Sequence, residues 1–191
     1  FFAVTAIVLG DTCGKMLTQR GVDSTLIAFS RFLIGALVIL PLSGMKLSEL
    51  PTLTTWPILI RGALISCAIL CILTALKTEP IANVFGAFFI GPVVAYILAI
   101  LLLGEHPTLG RSLLLGLGFV GVVLVVQPGL NMSPGMGFAF LSGCLYGCFL
   151  VSTRIAAQTT RPRLLLMSQL LIGSVLLAPL GLSSALPQLS Q

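Results

Sequence analysis

The sequence predicts an all-α integral membrane protein, a polytopic bundle with about seven transmembrane helices present. Three observations predict it. The 191 residues are 57% hydrophobic and only 8% charged, whereas a soluble domain carries about 25% charged residues. Mean hydropathy is +1.14. The apolar residues also fall in long continuous runs, not in the alternation of a transmembrane strand. Each run approaches the ~20 residues a helix needs to cross the hydrocarbon, and turn-forming residues separate them.

Taken in order, the runs are residues 1–17, 26–43, 58–76, 81–103, 109–126, 136–153 and 164–182. The first is interrupted only by Asp11 and Lys15 among charged residues, and Arg20-Gly21-Val22-Asp23 ends it. The second carries Arg31 and stops before Pro51. The third ends at Thr78-Glu79-Pro80. The fourth holds Asn83, Gly91-Pro92 and Tyr96 and closes on Leu103-Gly104-Glu105 before His106-Pro107. The fifth is the richest in glycine, with Gly116, Gly118 and Gly121, and breaks at Gln127-Pro128-Gly129. Gly135 and Gly137 open the sixth, which carries Tyr146, and Arg161-Pro162-Arg163 precedes the seventh. Small residues let helix backbones approach in lipid, so the glycines read as packing positions. Short loops make consecutive helices antiparallel neighbours. The chain opens on Phe1 with no basic region or small-residue cleavage site before the first run. We expect a few cytoplasmic residues upstream.

Basic residues orient the bundle. Arg20 and Lys77 flank one set of loops, whereas Lys46, Arg61, Arg111, Arg154, Arg161 and Arg163 flank the other. The positive-inside rule places the second set, and the N-terminus, in the cytoplasm. The net charge of +5 follows from this bias and calls for no nucleic-acid partner. Cys13, Cys67, Cys71, Cys144 and Cys148 all lie within apolar runs. They read as small packing residues, because no histidine or third thiol completes a metal set. No metal, cofactor or catalytic group is expected. H-E-x-x-H is absent, and no pair of serine, histidine or aspartate offers the mutual geometry of an enzyme site.

The polar residues at bilayer depth carry the functional reading. A charge there costs roughly 2.5–3.5 kcal/mol on insertion scales, so it faces partners or a water-filled cavity. Asp11 and Lys15 are one turn apart. Asp11 and Arg31 each lie about 10 Å below the outer surface, at 1.5 Å per residue, on the two arms of one hairpin. These three charges can form a net positive cluster suited to a carboxylate or phosphate. Pro92 withdraws a hydrogen-bond donor and kinks the fourth span, so Pro92, Asn83, Tyr96 and Tyr146 are candidate cavity-lining groups. Glu105 is placed to clamp Arg111 across a short loop.

The order of these features resembles the drug/metabolite transporter superfamily, EamA type. The matching residues are Asp11-x3-Lys15, Ser30-Arg31-Phe32, Gly91-Pro92-Val93-Val94 leading to Leu102-Leu103-Gly104-Glu105, and Gly116 to Pro128. The resemblance implies ten spans in two five-helix repeats of inverted topology. Residues 1–128 would form the first repeat and 136–191 two helices of the second, with three more helices beyond Gln191. It further implies a secondary transporter of the bacterial inner membrane. Such a carrier moves a small organic metabolite or drug by alternating access, coupled to a proton or cation if Asp11 titrates. The rival is a non-transporting membrane scaffold in which the charge cluster is a structural brace.

Overall fold

A computed structural model gives the backbone of residues 2–44, 50–126 and 133–189 and the side chains of residues 9, 10, 12–41, 44, 51, 53–124 and 133–183. Lys46 and the Gln127-Pro128-Gly129 break lie outside the described residues, as does the side chain of Asp11. Among the described residues every regular element is an α-helix: α1 (Phe2–Gln19), α2 (Ser24–Ser43), the single turn α3 (Leu50–Leu53), α4 (Trp56–Thr78), α5 (Ile81–Phe88), α6 (Ile90–Leu103), α7 (Leu109–Val126), α8 (Pro134–Ala156) and α9 (Pro162–Leu189). Ser24–Pro41, Trp56–Thr78, Ile81–Leu103, Pro134–Ala156 and Pro162–Ser183 are each long and apolar enough to cross a bilayer. Thus five of the seven expected spans meet that measure among the described residues. α1 and α7 are helices where the first and fifth spans were expected, the apolar stretch of α7 being the shorter Leu109–Leu124.

Local chemistry sets the helix ends. α1 stops in a Schellman motif: the Gly21 amide donates to the Thr18 carbonyl and the Val22 amide to the Leu17 carbonyl, both at 3.1 Å. Gly21 adopts φ 88°, a left-handed conformation that glycine alone takes without strain. Asp23 then caps α2, accepting from the Thr25 amide at 3.4 Å. Ser133 caps α8 by accepting from the Met136 amide at 3.2 Å. α5 and α6 are one bent span, broken at Phe89. Pro92 has no N–H to offer the Phe88 carbonyl one turn earlier, and the helix breaks there.

α4 is the axis of the bundle, packed on both α8 and α9, while α2 packs along α9. The residue pairings give the directions. Ser142 and Thr153 of α8 meet Ala68 and Arg61 of α4, so α4 and α8 are antiparallel. Gly35 lies against Leu170 and Phe32 against Gly173, which makes α2 and α9 antiparallel too. Backbone meets backbone where α8 crosses the α5–α6 bend. A Cβ added to Gly147 would sit 2.6 Å from the Gly91 carbonyl oxygen, and one added to Gly143 would sit 2.7 Å from that of Phe88. The carbonyl freed by Pro92 therefore lies in the gap that Gly143 leaves open.

The glycine expectation needs correcting at α7. An added Cβ at Gly116 or Gly121 meets nothing within 4 Å; only Gly118 is close-packed, under the Phe89 ring. Leu109, Leu114 and Leu117 are 79%, 72% and 70% exposed, so α7 is a peripheral helix held mainly by α5. The cysteine expectation also shifts, since Cys13 and Cys67 are exposed on the bundle surface, not packed within it.

Candidate functional site

At the centre of the bundle α2, α4, α5, α8 and α9 line a cavity of about 410 Å³, a size typical of small-molecule sites. Arg31 and Phe32 come from α2, Gln169 and Leu170 from α9, and the α4 wall is aliphatic. Arg31 lies seven residues inside the start of α2, and Gln169 seven inside the start of α9, which begins at the opposite end of the bundle. The cavity is therefore at mid-depth.

One wall is aromatic. Phe85 meets Phe88 edge-on at 6.4 Å, Phe88 meets Tyr146 at 5.0 Å, and Tyr146 stacks on Phe149 at 5.9 Å. These rings come in two pairs at i,i+3 spacing, one on α5 and one on α8, so each pair shares a helix face. Tyr146 lines the cavity, as do all three phenylalanines. Ser142 does so too, its hydroxyl donating to the Ala68 carbonyl at 2.6 Å.

Arg31 faces the cavity from the hairpin side. Its Nη2 lies 3.6 Å from the position of a Cβ on Gly10, the residue before Asp11, and Gly14 meets Ile27 in the same antiparallel register. The Asp11 backbone is thus beside the Arg31 guanidinium. Lys15 goes elsewhere. Its Nζ donates to the Glu79 carbonyl at 2.8 Å, a capping contact with the carbonyl-rich C-terminus of α4, and it is not among the residues lining this cavity. The same corner joins three helices, because the Glu79 carboxylate accepts from the Ser133 hydroxyl of the α8 cap.

Three further expected lining residues also lie outside the cavity. The Tyr96 hydroxyl is 2.7 Å from Ser112 Oγ and fastens α6 to the first turn of α7. Asn83 is two residues from Phe85, about 200° around the helix from the cavity face. Pro92 acts on the backbone through the bend described above. Glu105 does hold Arg111, at 3.4 Å, and also pairs with Arg154 at the end of α8.

Arg61 is the residue the sequence misplaced most. Counted there as a loop-flanking charge, it is 2% exposed inside the bundle. Its Nε donates to Thr153 Oγ1 at 2.8 Å, and Nη1 to the Leu165 carbonyl at 2.7 Å and to Ser168 Oγ at 3.2 Å. Nη2 donates to Gln169 Oε1 at 2.8 Å, and the guanidinium carbon lies 5.1 Å from the Phe149 ring centre. Every partner recorded among the described residues is neutral. Charge-assisted hydrogen bonds contribute about 1.5–3 kcal/mol each and a desolvated cation–π contact about 2 kcal/mol, which offsets the burial of the charge. Loop counting had no way to see this, because Arg61 lies only five residues after the start of α4.

The EamA-like transporter family model matches residues 1–127, about two thirds of the chain. The chain belongs to the EamA-like transporter family. An uncharacterized transporter of Archaeoglobus fulgidus is 24% identical to this EamA-like chain over 176 residues, covering 92% of the chain and 63% of that relative. The chain therefore spans about 63% of the length of the curated relative it matches. No solved structure matches.

Proposed function

We propose that this integral membrane chain is the larger part of a secondary transporter that binds a small organic anion in the mid-depth cavity and moves it by alternating access. The observation that carries this reading is a roomy cavity inside the bundle with an arginine on its wall. Polar and charged groups at that depth are costly unless they meet a partner or a solute, and the aromatic wall suits an apolar body attached to the anionic group. Asp11, on the helix that crosses Arg31, is the coupling residue in this reading. The proton it exchanges is the driving ion.

The antiparallel packing of α2 on α9 supports the inverted-repeat division into residues 1–128 and 136–191. The two helices are second elements of their repeats in that division, and a two-fold axis in the membrane plane would reverse one against the other. The positive-inside count supports a cytoplasmic N-terminus.

The test is the melting temperature of the purified chain against a panel of anionic and zwitterionic metabolites, with Arg31→Ala beside it. Stabilisation by carboxylates, lost in Arg31→Ala at unchanged unliganded melting, is the expected result. No response to any ligand, with Arg31→Ala simply less stable, would make the charges a structural brace and the chain a scaffold. For coupling, proton release on ligand binding in weakly buffered solution is expected in the parent chain and absent in Asp11→Asn. Undiminished release in that variant removes Asp11 from the role.

A further inference from the structure

We infer that Gln169 is a specificity-determining residue of the cavity and that Arg61 is its positioning residue. The inference rests on the mid-depth cavity being the ligand site. Arginine has only donors, so the side-chain oxygen of Gln169 must be the atom that meets Arg61 Nη2, 2.8 Å away. The amide nitrogen is then the group that Gln169 can present to the cavity it lines. The lock is rigid, since Thr153, the Leu165 carbonyl and Ser168 hold the guanidinium on three further bonds and Phe149 lies against its face. A glutamine free to turn offers either a donor or an acceptor. This one offers a donor.

The cavity thus has two polar ends of fixed sense. Phe32 packs on Gly173 and Gly35 on Leu170, which puts Gln169 level with residue 36 of α2, five residues along from Arg31. At 1.5 Å per residue that separation is about 7.5 Å along the bundle. Phe88, Tyr146 and Phe149 supply ring faces on the wall between. The ligand class that fits is an organic acid with a planar apolar body and, at the far end from its carboxylate, a neutral acceptor such as a carbonyl oxygen. A site that hydrogen-bonds such a group discriminates strongly against the analogue lacking it, because its own donor is left unpaired.

Matched probes test this: 4-acetylbenzoate against 4-ethylbenzoate, and 4-acetylphenylacetate against 4-ethylphenylacetate, with binding to the purified chain measured by equilibrium dialysis. Within each pair the carboxylate and the shape are nearly constant, and only the carbonyl changes. The expected result is about tenfold tighter binding of the acetyl compound in at least one pair, or about 1.4 kcal/mol. Gln169→Glu keeps an acceptor on Arg61, and so the fold, but puts an oxygen where the donor was; the acetyl compound should then bind no better than the ethyl one, at unreduced melting temperature. Equal binding within both pairs, with Arg31→Ala weakening all four probes, overturns the role of Gln169 and leaves the cavity as the ligand site. An acetyl preference that survives in Gln169→Glu overturns the lock by Arg61. No binding of any probe, with no response to Arg31→Ala, overturns both this inference and the cavity reading beneath it.

Discussion

Lys15 and Arg31 are cations of one helical hairpin, and what each of them touches separates their roles. The Lys15 ammonium sits on a backbone carbonyl at the end of α4, where a cation favourable to the helix dipole is worth about 0.3–1 kcal/mol and up to ~2 when partly buried. Arg31 lines a cavity. Lys15→Met is therefore expected to lower the melting temperature by a few degrees and leave ligand affinity unchanged. Calorimetric melting and equilibrium binding on the same preparation check this, and a large loss of affinity at intact stability would return Lys15 to the binding site. The depth of a charge shows that it needs a partner; only the fold shows which one.

At the scale of elements, glycine count and glycine function part company. α7 looks the most tightly packed helix by sequence, yet Gly116 and Gly121 meet nothing within 4 Å. The close contact is made instead by Gly143 and Gly147 of α8 against the bend at Phe88 and Gly91. Hydrophobic attraction between helices is weak in lipid, so backbone proximity carries much of the association. Gly147→Ala forces a methyl group against a carbonyl and should destabilise by about 1–3 kcal/mol, the usual cost of overpacking. Gly121→Ala should fall within about 0.5 kcal/mol of the parent, apart from any gain in helix propensity. Denaturant unfolding in mixed micelles measures both, and equal effects would remove the special role of the α8 crossing.

For the whole molecule, the residue pairings set α4 against α8 and α2 against α9 in antiparallel order. That order sets the α8–α9 loop and the α4–α5 loop at opposite ends of the bundle. With the five native cysteines replaced, Gln158→Cys should react with an impermeant maleimide only from the cytoplasmic side, and Ala82→Cys only from the other. Labelling of both from one side would break the bundle order. Labelling with the sides exchanged would overturn the positive-inside orientation. The Glu105 clamp to Arg111 and Arg154 closes the end that carries the α8–α9 loop. Its charges are half-exposed or more on the arginine side, where such pairs contribute about 0–1 kcal/mol, so it orders the loops more than it holds the bundle.

The sequence by itself determined the membrane class, the place of each long helix, the bend that Pro92 causes, the Glu105–Arg111 clamp and the family. These follow from run length, turn chemistry and local spacing, which depend on neighbours a few residues apart. It also put Arg31 and Asp11 at one depth, because a hairpin register is nearly fixed once its loop is short. The tertiary structure decided the rest. Arg61 and Gln169 are 108 residues apart in the chain, and no periodicity links them; the packing of α4 on α9 alone brings them together. Gln169 could have been suspected as an amide well inside the seventh span, and the Phe85/Phe88 and Tyr146/Phe149 pairs as shared helix faces. Which faces turned inward depended on contacts between distant helices, and those are set by where glycine lets two backbones meet.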